Sequence, residues 1–184
     1  GLGSDGFSFI NTSSPQAETG SGFMGSAVLA LNTGGAQDIR VTWTGGTVVP
    51  NSADYAIRLQ YRIGETGDFT DVTNLGNPVE YIRNALAGHS QTIGPVTLPA
   101  DANDKSLVQI RWKYHYRSGT GSRPQLRVDD IQVSAGNPAP VAVAVVSSPP
   151  AGQKGRTLPP VTVHARAANG ALATGYNGVI QLSL

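Results

Sequence analysis

Basic and amide side chains occupy alternate positions in two stretches of the chain, Tyr55–Ile63 and Ser106–Tyr116. The members of this set are Arg58, Gln60, Arg62, Arg111, Lys113 and His115. Guanidinium and amide groups on a rigid sheet can make bidentate contacts with carboxylated or sulfated sugars and hydrogen bonds with neutral ones. If the two stretches are neighbouring strands, these side chains form one basic face, and we predict that this face binds the ligand.

Two structural roles compete with ligand binding for these side chains. Exposed charge on a half-buried sheet needs no ligand, so ordinary solvated positions would give the same pattern. An arginine can also pair with an acid: Arg111 is a candidate partner of Asp129 or Asp130, and such a pair would fix strand register. Arg40, in a third stretch, has the same parity as the basic set and is expected on the same face.

A metal site has only weak support in the sequence. The acidic candidates for calcium are Asp101, Asp104, Asp129 and Asp130. Calcium takes six to eight oxygen ligands, and neither segment has the spacing of an EF-hand loop. The three histidines, at positions 89, 115 and 164, lie in separate segments without metal-ligand spacing. We therefore expect no cofactor, with calcium as the alternative.

The composition and motifs indicate a non-catalytic protein. The chain has no nucleophile elbow, no phosphate-binding loop and no cysteine, which excludes thiol chemistry and disulfides. A formal charge of +1 argues against a general nucleic-acid binder. No apolar run reaches the roughly 20 residues of a membrane-spanning helix. We predict that the chain is not an enzyme and has neither a nucleic-acid partner nor a membrane span.

Alternation of apolar and polar residues predicts β-strands along the whole chain. In the longest stretch, Ser106–Tyr116, the predicted core residues are Val108, Ile110, Trp112, Tyr114 and Tyr116. The other predicted strands are Phe23–Leu31, Asp38–Thr44, Tyr55–Ile63, Phe69–Val72, Val79–Arg83, Gln91–Leu98 and Pro124–Ser134. A change of parity at Asp129-Asp130 predicts a β-bulge, and Gly45-Gly46 is expected to end its strand. Gly1–Gly22 is expected to be an edge strand or a flexible arm.

A Pro-rich joint divides the chain into a larger and a smaller part. We predict a β-sandwich over residues 1–135, a linker over 136–140 and a partial domain over 141–184. The strands expected in the last part are Val141–Ser147, Thr157–Arg166 and Gly178–Leu184. These 44 residues are fewer than the about 100 of a complete immunoglobulin-like sandwich.

The segments AVLALNTGG, DIRVTWTGG, YAIRLQYRIGETGDFTDV, LVQIRWKYHY and LRVDDIQVS occur in an order that resembles a known architecture. It is similar to the jelly-roll, concanavalin-A-like β-sandwich modules of secreted bacterial surface proteins. The segment KGRTLPPVTVHARAANGALATGYNGVIQLSL resembles the first half of a bacterial immunoglobulin-like repeat. The resemblance implies an all-β fold, an antiparallel jelly-roll sandwich plus an incomplete immunoglobulin-like domain, in an extracellular or cell-surface protein.

Two functions are consistent with these features. The first is a non-catalytic adhesion module that binds a polysaccharide or another cell-surface component through the basic sheet face. The second is a structural subunit of an extracellular fibre or surface layer, in which the C-terminal partial domain is completed by a strand from a neighbouring subunit. The sequence names no individual ligand.

Overall fold

The computed structural model describes residues 3–10, 25–136, 142–147, 162–166, 170 and 172–173. Within these ranges the chain is all-β, and every strand pair is antiparallel. The longer strands are β1 (Phe7–Phe9), β2 (Ser26–Leu31), β3 (Gln37–Val49), β4 (Asp54–Ile63), β8 (Glu80–Ile82), β9 (Ser90–Thr97), β10 (Val108–Ser118) and β11 (Gln125–Gly136). Short strands β5 (Thr70–Asp71), β6 (Thr73–Asn74) and β7 (Asn77–Pro78) lie between β4 and β8, and 3-10 turns span Gly3–Asp5 and Ala100–Ala102.

Two sheets pack face to face and enclose the hydrophobic core. Sheet 1 has the order β1-β11-β3-β9, and sheet 2 has the order β2-β10-β4, with β5 and β8 paired to successive parts of the free side of β4. Trp43 of sheet 1 and Trp112 of sheet 2 meet edge to face, with ring centroids 6.5 Å apart. The predicted all-β sandwich is therefore confirmed.

Strand β10 lies in the interior of sheet 2, between β2 and β4. Four of the five predicted core residues are each at most 1% exposed: Val108, Ile110, Trp112 and Tyr114. Tyr116 is only partly buried, and the alternation breaks at His115, which is buried on the outward parity. Burial of an apolar side chain of this size stabilises the fold by roughly 1.5–3 kcal/mol. The strand is therefore one of the main anchors of the core.

The prediction that Gly45-Gly46 ends its strand is wrong, because β3 continues to Val49. A Cβ atom on Gly45 would lie 2.5 Å from the Cβ of Tyr81, which packs against this glycine from β8. A Cβ on Gly46 would lie 2.7 Å from Nε of Arg127. These glycines thus allow close packing of neighbouring side chains within a continuous strand.

Strand β11 contains the predicted bulge. Asp129 pairs with Thr44, but the next registered pair is Gln132 with Thr42, which leaves two residues of β11 opposite one of β3. Asp130 has a positive φ of 48°. The extra residue shifts the parity of the strand, so that the side chain of Ile131 points inward and packs against the core. The prediction of a β-bulge is therefore confirmed.

The ends of the chain are described in part. Of the segment expected to be an edge strand or a flexible arm, Phe7–Phe9 forms an edge strand that pairs with β11, and Phe9 stacks on Tyr114 with ring centroids 6.0 Å apart. Strands β12 (Ala142–Ser147) and β13 (Thr162–Arg166) form a separate two-stranded sheet. The predicted strand at 178–184 and most of the predicted linker lie outside the described residues, and the division into domains stays a prediction. Over the described ranges, no helix has the length and apolar character needed to cross a membrane.

Candidate functional site

The outward face of sheet 2 carries all six side chains predicted to bind a ligand. Lys113 of β10 is registered with Arg58 of β4, and Arg111 is registered with Gln60. His115 and Arg62 have the same parity on the two strands, opposite Ala56 and Gln109. The two stretches are thus neighbouring strands, which is the condition for one basic face. Arg40 is not part of the set, because it lies on β3 in sheet 1.

Two carboxylates neutralise one end of this face. Arg58 donates from Nε to Glu80 at 2.9 Å and from Nη1 to Asp71 at 3.2 Å. Nε2 of His115 lies 3.3 Å from the same oxygen of Glu80. Arg58 is therefore held in an internal ion-pair network that β5 and β8 complete.

Glu80 is the centre of that network. Burial by itself would raise the pKa of its carboxyl group, but the hydrogen bonds from His115 and Arg58 and the positive charges of both residues outweigh burial. The result is a pKa lowered to about 2. The Glu80 side chain is only 13% exposed, so it acts as a fixed negative charge inside the face.

Two of the predicted ligand contacts are buried. His115 is 1% exposed and Gln60 is 6% exposed. Gln60 is enclosed because its amide donates to Asp71 at 2.6 Å while its oxygen accepts from Arg111. The pattern predicts the correct face for both residues, but their predicted contact with a ligand needs correction. Gln60 is bonded to Asp71 and Arg111, and the ring nitrogens of His115 lie within hydrogen-bond distance of Glu80 and of the backbone carbonyl of Tyr116.

The open half of the face is built around an aromatic ring. The guanidinium carbons of Arg62 and Arg111 lie 4.5 Å and 4.0 Å from the centroid of the Phe69 ring. Arg62 donates to Gln109 at 2.8 Å and to the carbonyl of Gly67 at 2.9 Å. Arg111 donates from Nε and Nη2 to the side-chain oxygen of Gln60, the first at 2.9 Å. All these acceptors are neutral, and neither arginine forms an ion pair within the described part of the chain.

The two guanidinium groups repel each other. Burial lowers the pKa of Arg111, and the positive charge of Arg62 lowers it further, against the opposing effect of Asp71. Arginine remains protonated in proteins despite such shifts. Nη1 of Arg111 and Nη2 of Arg62 have no acceptor among the residues that the structure describes. An anion placed here would accept hydrogen bonds and reduce the repulsion.

Lys113 extends this cationic surface along β10. Its half-buried side chain makes no hydrogen bond or ion pair with any described residue. Across from Arg111 on the edge strand β2, Val28 is 50% exposed. We call Arg62, Phe69, Arg111 and Lys113 the basic patch.

Phe69 was missed by the sequence interpretation as a site residue. It follows the Gly64–Gly67 turn, where the strand parity is lost. The register of the β4–β5 hairpin could have identified it. Tyr61 of β4 pairs with Thr70 of β5, so the next residue towards the turn on each strand brings Phe69 opposite Arg62.

The four aspartates considered for calcium each have a protein partner of their own. Asp101 accepts from the hydroxyl of Tyr61 at 3.0 Å, and Asp104 accepts from the backbone N–H of Gly35 at 2.8 Å. Asp130 accepts from Thr44 at 3.2 Å. Asp129 accepts from Arg127 at 2.8 Å. Within the described ranges, no group of three or more histidine or acidic side chains is arranged to hold a metal ion.

The predicted pair between Arg111 and Asp129 or Asp130 is wrong. Strand β11 belongs to sheet 1, whereas Arg111 points outward from sheet 2. The error came from assuming that β10 and β11, which are consecutive in sequence, are neighbours in one sheet.

Comparisons with known proteins give no relative: no family model matches this chain, and neither a curated protein nor a solved structure matches it.

Proposed function

We propose that this chain is a non-catalytic extracellular module of the jelly-roll type that binds an anionic polysaccharide on its basic patch. The strand order supports the jelly-roll assignment. With β8 taken as the edge of sheet 2, eight strands form the orders β1-β11-β3-β9 and β2-β10-β4-β8, an arrangement of two interlocked Greek keys. The extracellular location is supported by the Thr-, Gly- and Asn-rich, Lys-poor composition and by the resemblance to secreted modules.

The observation that carries the proposal is the pair of arginines on Phe69 without a carboxylate partner. Stacking on the ring holds both guanidinium groups in place before any ligand arrives, which reduces the entropy lost on binding. Guanidinium groups bind carboxylate and sulfate oxygens through short, charge-assisted hydrogen bonds. The free Nη groups and Lys113 supply such donors along an open sheet surface, which suits an extended polymer.

The contrast within the face supports an anionic ligand. Arg58 and His115 already share Glu80, with Asp71 as a second partner of Arg58. The basic patch forms no ion pair within the described structure, although Asp71 offsets part of the charge of Arg111. A polyanion would therefore gain attraction at Arg62, Arg111 and Lys113 and meet little net charge at the other end of the face.

Retention on immobilised polysaccharides tests this function. The probes are alginate, which is carboxylated, heparin, which is sulfated, and dextran, which is neutral. We expect retention on at least one of the two anionic matrices, weakening as salt is added, and none on dextran. Arg62→Ala should reduce the affinity about tenfold, since a hydrogen bond to a charged group contributes roughly 1.5–3 kcal/mol.

Arg40→Ala is the matched control, because it removes the same charge from an exposed position on the other sheet. Its retention should equal that of the unchanged protein. Passage through both anionic matrices without retention would refute the proposal, as would equal losses in the two variants.

A second candidate function, a subunit of a fibre or surface layer, is supported by the edge strand β2. Its six residues carry no charge, no proline and no bulge, so it lacks the usual protection of an edge strand. By contrast, β1 has three residues, and β9 has a register shift near Gly94-Pro95. Self-assembly through the C-terminal strands stays part of this proposal. Light scattering that gives a single monomeric mass at high protein concentration would contradict it.

A further inference from the structure

A second candidate site lies on the side of the sandwich away from β1 and β2. There, β9 at the edge of sheet 1 faces β8 at the edge of sheet 2, and together with the β6–β7 hairpin they line an open cleft of about 320 Å³. Its apolar lining includes Val79 and Val96, which are 6% and 7% exposed, and the partly buried Ile93. Its polar lining comes from Asn74, Asn77, Glu80 and Gln91.

The three carboxamides of this cleft are exposed, and most of their hydrogen-bonding groups are open to solvent or to a ligand. Asn74 and Gln91 make no side-chain hydrogen bond within the described part of the protein, and Asn77 makes only a long one, 3.4 Å to the carbonyl of Leu75. A carboxamide both donates and accepts hydrogen bonds, which matches a hydroxyl group that does the same. Clustered carboxamides beside an apolar surface therefore suit a ligand with several hydroxyl groups and apolar C–H faces.

The charge of the cleft favours a neutral ligand. Glu80 is the charged residue of its lining, and Arg58 and His115 already contact this carboxylate at 2.9 Å and 3.3 Å. An anion would meet Glu80 in the cleft, and a cation would have to compete with Arg58. A neutral, polyhydroxylated ligand avoids both costs.

The turn beside the cleft provides an independent observation. Strands β6 and β7 pair Asn74 with Asn77, so that Leu75 and Gly76 form the two-residue turn between them. Both have positive φ, 50° and 82°, a conformation in which Asn, Asp or Gly is usual at the first position. Leu75 is also 95% exposed. Backbone strain of this kind is concentrated at functional sites, including ligand clamps.

We infer that this cleft binds a neutral saccharide. Asn74, Asn77 and Gln91 hydrogen-bond its hydroxyl groups, and the lining of Val79, Ile93 and Val96 contacts its apolar face. Leu75 adds an exposed apolar side chain at the turn beside the cleft. This site goes beyond the polyanion-binding function, and it uses none of the residues of the basic patch.

Titrations followed by ¹⁵N NMR test the inference, with glucose, galactose, mannose, N-acetylglucosamine and cellobiose as probes. At least one sugar should shift the side-chain amide signals of Asn74, Asn77 and Gln91 in a saturable way. The double variant Asn74→Ala/Gln91→Ala should bind that sugar at least tenfold more weakly, because it removes two hydrogen-bonding groups. Gln132→Ala removes an exposed carboxamide from β11 and should leave the affinity unchanged.

Two outcomes would overturn the inference. In the first, no sugar of the panel shifts these amide signals. In the second, a sugar binds equally well to the unchanged protein and to the double variant. The double variant should keep its retention on alginate or heparin, so failure of the cleft and failure of the basic patch are distinguishable.

Discussion

Replacing Glu80 by glutamine should destabilise the fold in a pH-dependent way. The substitution keeps the shape of the side chain but removes the charge that Arg58 and His115 share. Burial alone would raise the pKa of Glu80, but the hydrogen bonds and charges of these two partners lower it to about 2, from the ordinary value of 4.5. A difference of this size between the pKa values of Glu80 in the folded and unfolded protein corresponds to about 3 kcal/mol in the free energy of unfolding. Screening by solvent reduces the expected loss to about 1–2 kcal/mol.

The direction of the pH dependence follows from the lowered pKa. The stabilisation by Glu80 is fully present above about pH 4.5 and is lost as the pH falls towards about 2. Urea unfolding at a series of pH values should therefore show the largest difference in free energy of unfolding between the unchanged protein and Glu80→Gln near neutral pH, and roughly half of that difference or less near pH 3.

Glu65→Gln is the matched control for this experiment. Glu65 is an exposed carboxylate in the turn after β4, and it has no ion-pair partner within the described residues. Its substitution should change the free energy of unfolding by less than about 0.5 kcal/mol. Equal effects of the two substitutions near neutral pH, or a Glu80→Gln effect that stays constant down to pH 3, would refute the role given to Glu80.

Three further substitutions test the packing and the turn. Gly45→Ala should lower the free energy of unfolding by about 1–3 kcal/mol in urea titrations, because the new Cβ would lie 2.5 Å from Tyr81. An unchanged free energy of unfolding would contradict the packing described for β3. Trp112→Ala should lower the free energy of unfolding by about 3–5 kcal/mol in the same assay, since this side chain is 1% exposed and packs against Trp43. A decrease below about 1 kcal/mol would be inconsistent with a core position. Leu75→Asn should raise the free energy of unfolding by about 1 kcal/mol, because Asn tolerates the positive φ. The same substitution should weaken saccharide binding in the cleft. A free energy of unfolding below that of the unchanged protein would show that the turn conformation is not strained.

The sequence predicts the strands well where apolar and polar side chains alternate, as they do in β3 and β10. The alternation in β10 placed Trp112 in the core, and the parity change in β11 placed the bulge at Asp129-Asp130. Both features are local consequences of side-chain direction along a strand. They need no knowledge of which strands are neighbours.

The sequence could not predict how charges on the face are paired, because that depends on contacts between distant segments. Asp71 and Glu80 reach Arg58 from strands of two and three residues, which are too short to show periodicity. The two-sheet topology also separates β10 from β11, which excluded the expected partner of Arg111. The patterns therefore indicated a basic face but could not separate its neutralised half from its open half.

Binding of an anionic saccharide at Arg62 and Arg111 is the central claim, and the Nε–H signals of the arginines test it most directly. Alginate oligosaccharides should be titrated into ¹⁵N-labelled protein while these signals are assigned and followed. The Arg62 and Arg111 signals should shift in a saturable way, while that of Arg40 on the opposite sheet stays constant. Unchanged Arg62 and Arg111 signals, or an equal shift of Arg40, would contradict a binding site at the basic patch.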